Sequence, residues 1–194
     1  MKKIPTLFKR VFDDNHKIVG ITPEVPRWLE WVLRGDGYAT VKMDGACCAI
    51  IDGKFYKRFD AKNGKTPPAG AIPCCKADPI TGHRPYWVLV DDSNPGDRWF
   101  VEAKKNTKYP LIDGTYEAVG LHFQGNPYKM SFDMLEPHGL RIIKGLDRSF
   151  EGIRLYLETN EIEGIVFYRD DQPMCKIKRS DFGIPWNIRR KKRQ

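Results

Sequence analysis

A chain of 194 residues with 41% hydrophobic and 12% aromatic content can bury a core without disulfide staples, which excludes a disordered polypeptide. Its net charge is +8, and five of those charges stand together in Arg189, Arg190, Lys191, Lys192 and Arg193. Polyanionic partners are therefore favoured modestly. No window approaches about 18 consecutive apolar residues, and no apolar run follows Met1-Lys2-Lys3-Ile4-Pro5, so neither a membrane span nor a signal peptide is expected.

In chain order, residues 1–20 carry Leu7, Phe8, Val11 and Phe12 among lysines and read as a packed N-terminal segment. Residues 24–34 read as a helix, with Pro26 in the first turn, apolar residues recurring at three and four, and Gly35 as the stop. Its tryptophans, Trp28 and Trp31, are assigned to the core. Residues 38–43, 46–51 and 54–59 read as strands, the last two joined by an Asp52-Gly53 hairpin turn.

Between the first two strands lies Val41-Lys42-Met43-Asp44-Gly45. A lysine at the end of a short apolar strand is half buried, and burial lowers an amine's pKa toward the range where it acts as a nucleophile. The same four-residue pattern also describes a surface lysine entering a hairpin. Arg58, on the neighbouring strand, could reach a phosphate or belong to an ordinary polar face.

Residues 61–97 are rich in turn chemistry, with Asn63-Gly64, Pro67-Pro68 and Gly70, then Asp78 to Pro85, which suggests a substrate-facing loop. A strand over 86–90 stands inside it. Further strands are expected over 99–101, 114–120 and 129–135, with a turn at Gly125-Asn126-Pro127. A short amphipathic helix over 147–157 would start at Asp147 or Ser149. Glu117, mid-strand between apolar neighbours, needs a partner: a ribose hydroxyl, a metal or the lysine, unless that face is half exposed.

The last block pairs a strand over 161–168, opened by Glu163, with one over 174–179 after a turn at 170–173. Lys176 and Lys178 lie two apart and so project from one face. Either an anion sits between them or the edge is solvated.

The five cysteines, Cys47, Cys48, Cys74, Cys75 and Cys175, are odd in number and fall mostly in adjacent pairs. Neighbours on a strand point to opposite faces, which suits reduced thiols in a cytoplasm-like, intracellular compartment better than disulfides. Cys74, Cys75 and His83 form a minor alternative as a zinc site.

Together these residues supply one nucleophile, several cations for phosphates and two carboxylates, the requirements of polyphosphate chemistry with Mg²⁺. The order resembles that of the lysine-adenylating nucleotidyltransferases, which include polynucleotide ligases and mRNA capping enzyme. The resemblance rests on Lys42-Met43-Asp44-Gly45, Tyr116-Glu117, Glu163-Gly164-Ile165-Val166 and Lys176-Ile177-Lys178. Within that superfamily the chain most resembles the small 5′-to-3′ RNA ligases first recognised in vertebrates. That closer likeness extends to Ala46-Cys47-Cys48, Gly82-His83 with Trp87, Gly125-Asn126-Pro127-Tyr128 and Pro137-His138-Gly139, spanning roughly residues 20–187.

The resemblance implies an α+β fold of mainly antiparallel sheets with flanking helices, the ATP-grasp-like ligase catalytic domain, over residues 1–187. A basic tail, 188–194, would be a solvated end, a nucleic-acid contact or a nuclear-targeting signal. No oligonucleotide-binding barrel is expected, so RNA would be held by the catalytic domain.

It further implies that Lys42 is adenylated by ATP, that the AMP passes to an RNA 5′-phosphate, and that a 3′-hydroxyl displaces it. Lys42, Glu163, Lys176 and Lys178 are the implied catalytic residues. Val41, Lys42, Asp44, Arg58, Glu117, Phe132, Glu163, Lys176 and Lys178 are the implied nucleotide-binding set, with Glu163 and Glu117 toward Mg²⁺ or Mn²⁺. RNA bearing 5′-phosphate and 3′-hydroxyl ends is the implied partner, a monomer the expected state, and a membrane no partner. Cys47 stands where many ligases keep an arginine or asparagine, and Arg58 is the candidate replacement. Phe132 is the candidate adenine stacker, with Phe123 as alternative. Two other readings stay open: a DNA ligase or capping-type core, and a non-catalytic nucleic-acid-binding module.

Overall fold

The computed structural model describes residues 4–61, 65–78 and 82–186. The basic tail, the Asn63-Gly64 turn and part of the 78–85 loop lie outside the described residues. The chain divides into two compact units, Asp44–His138 and a second assembled from Ile4–Met43 with the chain from Gly139 onward. The fold is α+β, with mostly antiparallel sheets and two α-helices among the described residues.

The second unit begins with a small hairpin of β1 (Arg10–Phe12) and β2 (Ile18–Ile21). Leu7 and Phe8 just before it are buried, whereas Val11 and Phe12 are exposed, so only part of the expected apolar lead is core. Residues 24–34 are not an α-helix. They form a 3-10 turn, Arg27–Leu29, followed by further tight turns, with Leu29 N–H bonded to the Pro26 carbonyl and Val32 N–H to that of Leu29. Leu29, Trp31 and Val32 are all buried while Trp28 is exposed. Burial at i, i+2 and i+3 spreads wider around a helix than one apolar stripe, and a compact coil satisfies it instead. β3 (Tyr38–Lys42) follows.

In the Asp44–His138 unit, β4 (Ala46–Ile51) and β5 (Lys54–Ala61) form the expected hairpin. Asp52 and Gly53 have φ of +51° and +71°, and their N–H groups donate to the Asp113 carboxylate at 2.8 and 3.0 Å. β6 (Ile72–Pro73) and β7 (Arg84–Leu89) continue the sheet, with β6 at its edge, so the expected loop region carries two strands of its own.

The expected strand over 99–101 is instead inside α1 (Arg98–Asn106). Trp99, Phe100 and Ala103 bury together on one side of it, the i, i+1, i+4 spacing of a helix face. β8 (Gly114–Val119) and β9 (Met134–Pro137) complete a six-stranded sheet in the order β6-β7-β5-β4-β8-β9. The strand expected over 129–135 survives only at its end. Gln124, Asn126 and Lys129 take positive φ, and the Asn126 side chain bonds both the carbonyl and the N–H of Met130 at 2.9 and 2.8 Å, winding this stretch into turns.

The chain then returns to the second unit through β10 (Ile142–Ile143), α2 (Phe150–Thr159), β11 (Gly164–Arg169) and β12 (Gln172–Lys178). Ser149 caps α2, its hydroxyl accepting from Gly152 N–H at 3.0 Å. Asp170 and Asp171, at φ +51° and +56°, turn β11 into β12. The four strands run β10-β3-β11-β12, all antiparallel. Their core joins Ile165, Phe167 and Ile177 with Leu7, Phe8, Ile153 and Leu157. No helix among the described residues is long and apolar enough to cross a membrane.

Candidate functional site

β11 is paired on one side with β3 and on the other with β12, which places Lys42, Glu163, Lys176 and Lys178 on three adjacent strand ends. Lys42, the last residue of β3, contacts Glu163 through an ion pair of Nζ with Oε2; the two side chains are 24% and 14% exposed. Glu163, expected on the strand, stands instead in the turn before it, where its carbonyl accepts from Arg179 N–H at 3.0 Å. That bond fixes the backbone that presents the carboxylate.

Lys176 and Lys178 share a face of β12. Burial, then the charges of Lys42 and Lys178, pull the Lys176 amine down to about 8, with Glu163 acting in the opposite direction and Arg10 adding to the repulsion. The backbone of Lys176 is tied to the chain's start, its N–H donating to the Pro5 carbonyl at 3.0 Å and its carbonyl accepting from Leu7 N–H at 2.8 Å. Arg10 is a member of this basic cluster that the sequence did not single out. It is held by Asp181, whose Oδ1 accepts from Nη2 at 2.9 Å and whose Oδ2 accepts from Lys178 N–H at 2.9 Å. Arg10 lies more than 160 residues from these partners, so no local pattern marks it. Val41, beside Lys42, packs against the core of this unit.

The Asp44–His138 unit holds the remaining expected residues. Asp44 N–H donates to the Tyr128 hydroxyl at 2.6 Å, and Gly45 N–H to Glu117 Oε1 at 3.1 Å. Gly45 must be glycine: a Cβ there would lie 2.2 Å from the Ala118 carbonyl oxygen. Glu117, directly opposite Cys47 in the β4–β8 ladder, directs Oε2 to His138 Nε2 at 2.9 Å, while His138 Nδ1 meets Thr115 Oγ1 at 3.0 Å.

Arg58 is gripped by Asp60 through bonds of 2.7 and 3.0 Å and lies against Cys47. Burial, with the Glu117 charge next, pushes the Cys47 thiol up to about 12. Phe132 is 46% exposed, whereas Phe123 is core, edge-on to Phe100. Cys74, Cys75 and His83 do not converge as a metal-binding group among the described residues; Cys47, Glu117 and His138 do, with one donor atom from each within 4.8 Å of the others.

The chain is similar in sequence to proteins named RNA ligase 1. A protein of Pongo abelii named RNA ligase 1 is 28% identical, over 77% of this chain and 68% of that protein. The RNA ligase 1 of Rattus norvegicus is 24% identical over 82% and 72%, and that of Danio rerio 28% over 55% and 43%. No protein-family model matches the chain. The chain is a distant relative of RNA ligases.

Proposed function

We propose, from that distant kinship, that the chain is an ATP-dependent RNA ligase that joins 5′-phosphate and 3′-hydroxyl ends through a lysyl-AMP and an adenylated-RNA intermediate. The observation that carries the proposal is the grouping of Lys42, Glu163, Lys176 and Lys178 on adjacent strand ends of one sheet. Three amines drawn together, with that of Lys176 lowered by burial and by its two neighbours, suit a polyphosphate, whose charge is spread over several oxygens.

In this reading Lys42 Nζ attacks the α-phosphorus of ATP. The nitrogen–phosphorus bond forms, the bond to the bridging oxygen breaks, and pyrophosphate carries away the electron pair. Lys42 must shed a proton to attack, and Glu163, already in contact with Nζ, is placed to receive it. Lys176 and Lys178 hold the α-phosphate oxygens. The AMP then passes to an RNA 5′-phosphate, and the 3′-hydroxyl displaces it.

A single carboxylate suits a hard ion that keeps most of its waters and shares phosphate oxygens, the polyphosphate offsetting the surrounding amines. When bound through Glu163, Mg²⁺ or Mn²⁺ would offset negative charge as pyrophosphate departs. For Val41, Asp44, Arg58, Glu117 and Phe132 the nucleotide-binding role rests on the resemblance alone.

Incubation with labelled ATP and Mg²⁺, followed by denaturing electrophoresis, tests the proposal. A covalent AMP adduct is expected from the wild type and not from Lys42→Ala. A wild type that never labels overturns the enzyme reading, and labelling by GTP in place of ATP redirects it to capping-type chemistry. Sealing of a 5′-phosphorylated RNA, but not of its dephosphorylated counterpart, tests the end chemistry.

A further inference from the structure

The sheet of the Asp44–His138 unit carries a second constellation whose chemistry differs from that of the lysines. Cys47 Sγ, a Glu117 carboxylate oxygen and a His138 ring nitrogen lie within 4.8 Å of one another. The ladder produces this grouping. Cys47 and Glu117 are register partners on β4 and β8, and β9, paired with β8, delivers His138 one residue past its end. The His138 N–H also donates to the Thr115 carbonyl at 3.1 Å, so all three ligand-type residues are fixed by sheet backbone.

We propose that Cys47, Glu117 and His138 bind a borderline-soft divalent ion of the zinc class, at a site separate from the hard ion assigned to Glu163. One thiolate, one imidazole and one carboxylate are a donor set that selects zinc or cobalt over magnesium. Tetrahedral bonds of about 2.0–2.3 Å place donor atoms about 3.3–3.6 Å apart, so Glu117 Oε2 and His138 Nε2, at 2.9 Å, have only to part slightly.

The supporting bonds are those that tune such sites. Thr115 Oγ1 sits at the far ring nitrogen of His138 and fixes its orientation, and Gly45 N–H engages the other Glu117 oxygen. A thiolate, a carboxylate and a divalent ion sum to zero charge. The nearby Arg58 guanidinium, which would otherwise repel a cation, is already matched by Asp60. Glu117 and His138 are 12% and 19% exposed, and three protein ligands leave a fourth tetrahedral position for water, the arrangement of zinc sites that act on a bound oxygen. Ligation releases the Cys47 proton to solvent.

The inference stands on these three residues and does not require the ligase reading. Co²⁺ titrated into the reduced, metal-free full chain tests it by absorbance. Saturation at one equivalent with a near-ultraviolet thiolate-to-cobalt charge-transfer band is expected, displaced by Zn²⁺ and not by millimolar Mg²⁺. Cys47→Ser loses the band, and His138→Gln weakens affinity at least tenfold, with circular dichroism confirming that both variants fold. If Cys47→Ser does not fold, Thr115→Val decides instead, with affinity about 10-fold lower expected. Lys42→Ala keeps the wild-type band, so loss of adenylation and loss of this ion are read separately. No thiolate band, or one that persists in Cys47→Ser or is unmoved by the His138 and Thr115 changes, overturns the proposal.

Discussion

Lys42 on β3 and Lys178 on β12 are register partners of the same residue, Gly164, on the strand between them. A Cβ at Gly164 would lie 2.3 Å from the Ile177 carbonyl oxygen and 3.0 Å from the Lys178 Cα. Both are backbone atoms, so no rotamer relieves the clash. Gly164→Ala is expected to push β12 away, lower stability by roughly 1–3 kcal/mol, and reduce AMP labelling even in the fraction that remains folded. Labelling per folded molecule, with the folded fraction taken from circular dichroism, checks this; normal labelling at normal stability would contradict the register described.

Glu163→Gln keeps the shape of the side chain and removes its charge. The Lys42 ammonium then loses its ion-pair partner and its nearest proton acceptor. Adenylation is expected to slow by about 10²–10⁴-fold, measured as the single-turnover rate of adduct formation at saturating ATP. A rate within a few-fold of wild type would mean that Glu163 neither takes the proton nor holds the ion.

Lys176 links function to stability through pH. Its amine is lowered to about 8 by burial and by Lys42 and Lys178. Between that value and the ordinary lysine range the unfolded chain binds a proton that the folded chain does not, so stability rises with pH across this window. Below it both states are protonated and the whole penalty of the charged amine is present. Lys176→Met is therefore expected to be more stable at pH 7, by on the order of 2–3 kcal/mol, which shows as a higher Tm, while abolishing AMP labelling. The advantage should shrink toward pH 10. Thermal melts of both proteins at the two pH values decide the matter, and a variant less stable than wild type at pH 7 refutes it.

Asp181 is buried and receives both Arg10 and the Lys178 N–H. Asp181→Ala strands the Arg10 charge and frees the end of β12, with an expected loss of about 3 kcal/mol. Arg10→Met with Asp181→Ala should recover part of that loss. Urea unfolding of Arg10→Met, Asp181→Ala and the double variant measures it, and an additive double variant would show that the pair is not coupled.

The strands and the shared face of Lys176 and Lys178 were readable because alternation and Asp-Gly turns are local signals. The lysine's strand-end position came the same way. What was not readable depends on pairings between distant residues. The tryptophan-bearing stretch looked helical until burial of Leu29, Trp31 and Val32 together ruled out a single helical stripe. Trp99 and Phe100 looked like a strand because three apolar residues carry no period, and Ala103 was the overlooked fourth point of a helix face. Glu117 was seen to need a partner, yet His138, 21 residues on, became that partner only through the β8–β9 ladder. Arg10 and Asp181 were invisible for the same reason.

The unit that carries Lys42 is built from two stretches of chain, with Asp44–His138 intervening. During synthesis β3 emerges early, but β11 and β12, its sheet partners, are made more than a hundred residues later. The continuous unit has all its strands available first and is expected to fold first. Lys42, the proposed nucleophile, must wait, without Glu163 or the other amines, until nearly the whole described chain exists. Adenylation competence on the ribosome should therefore appear late and abruptly.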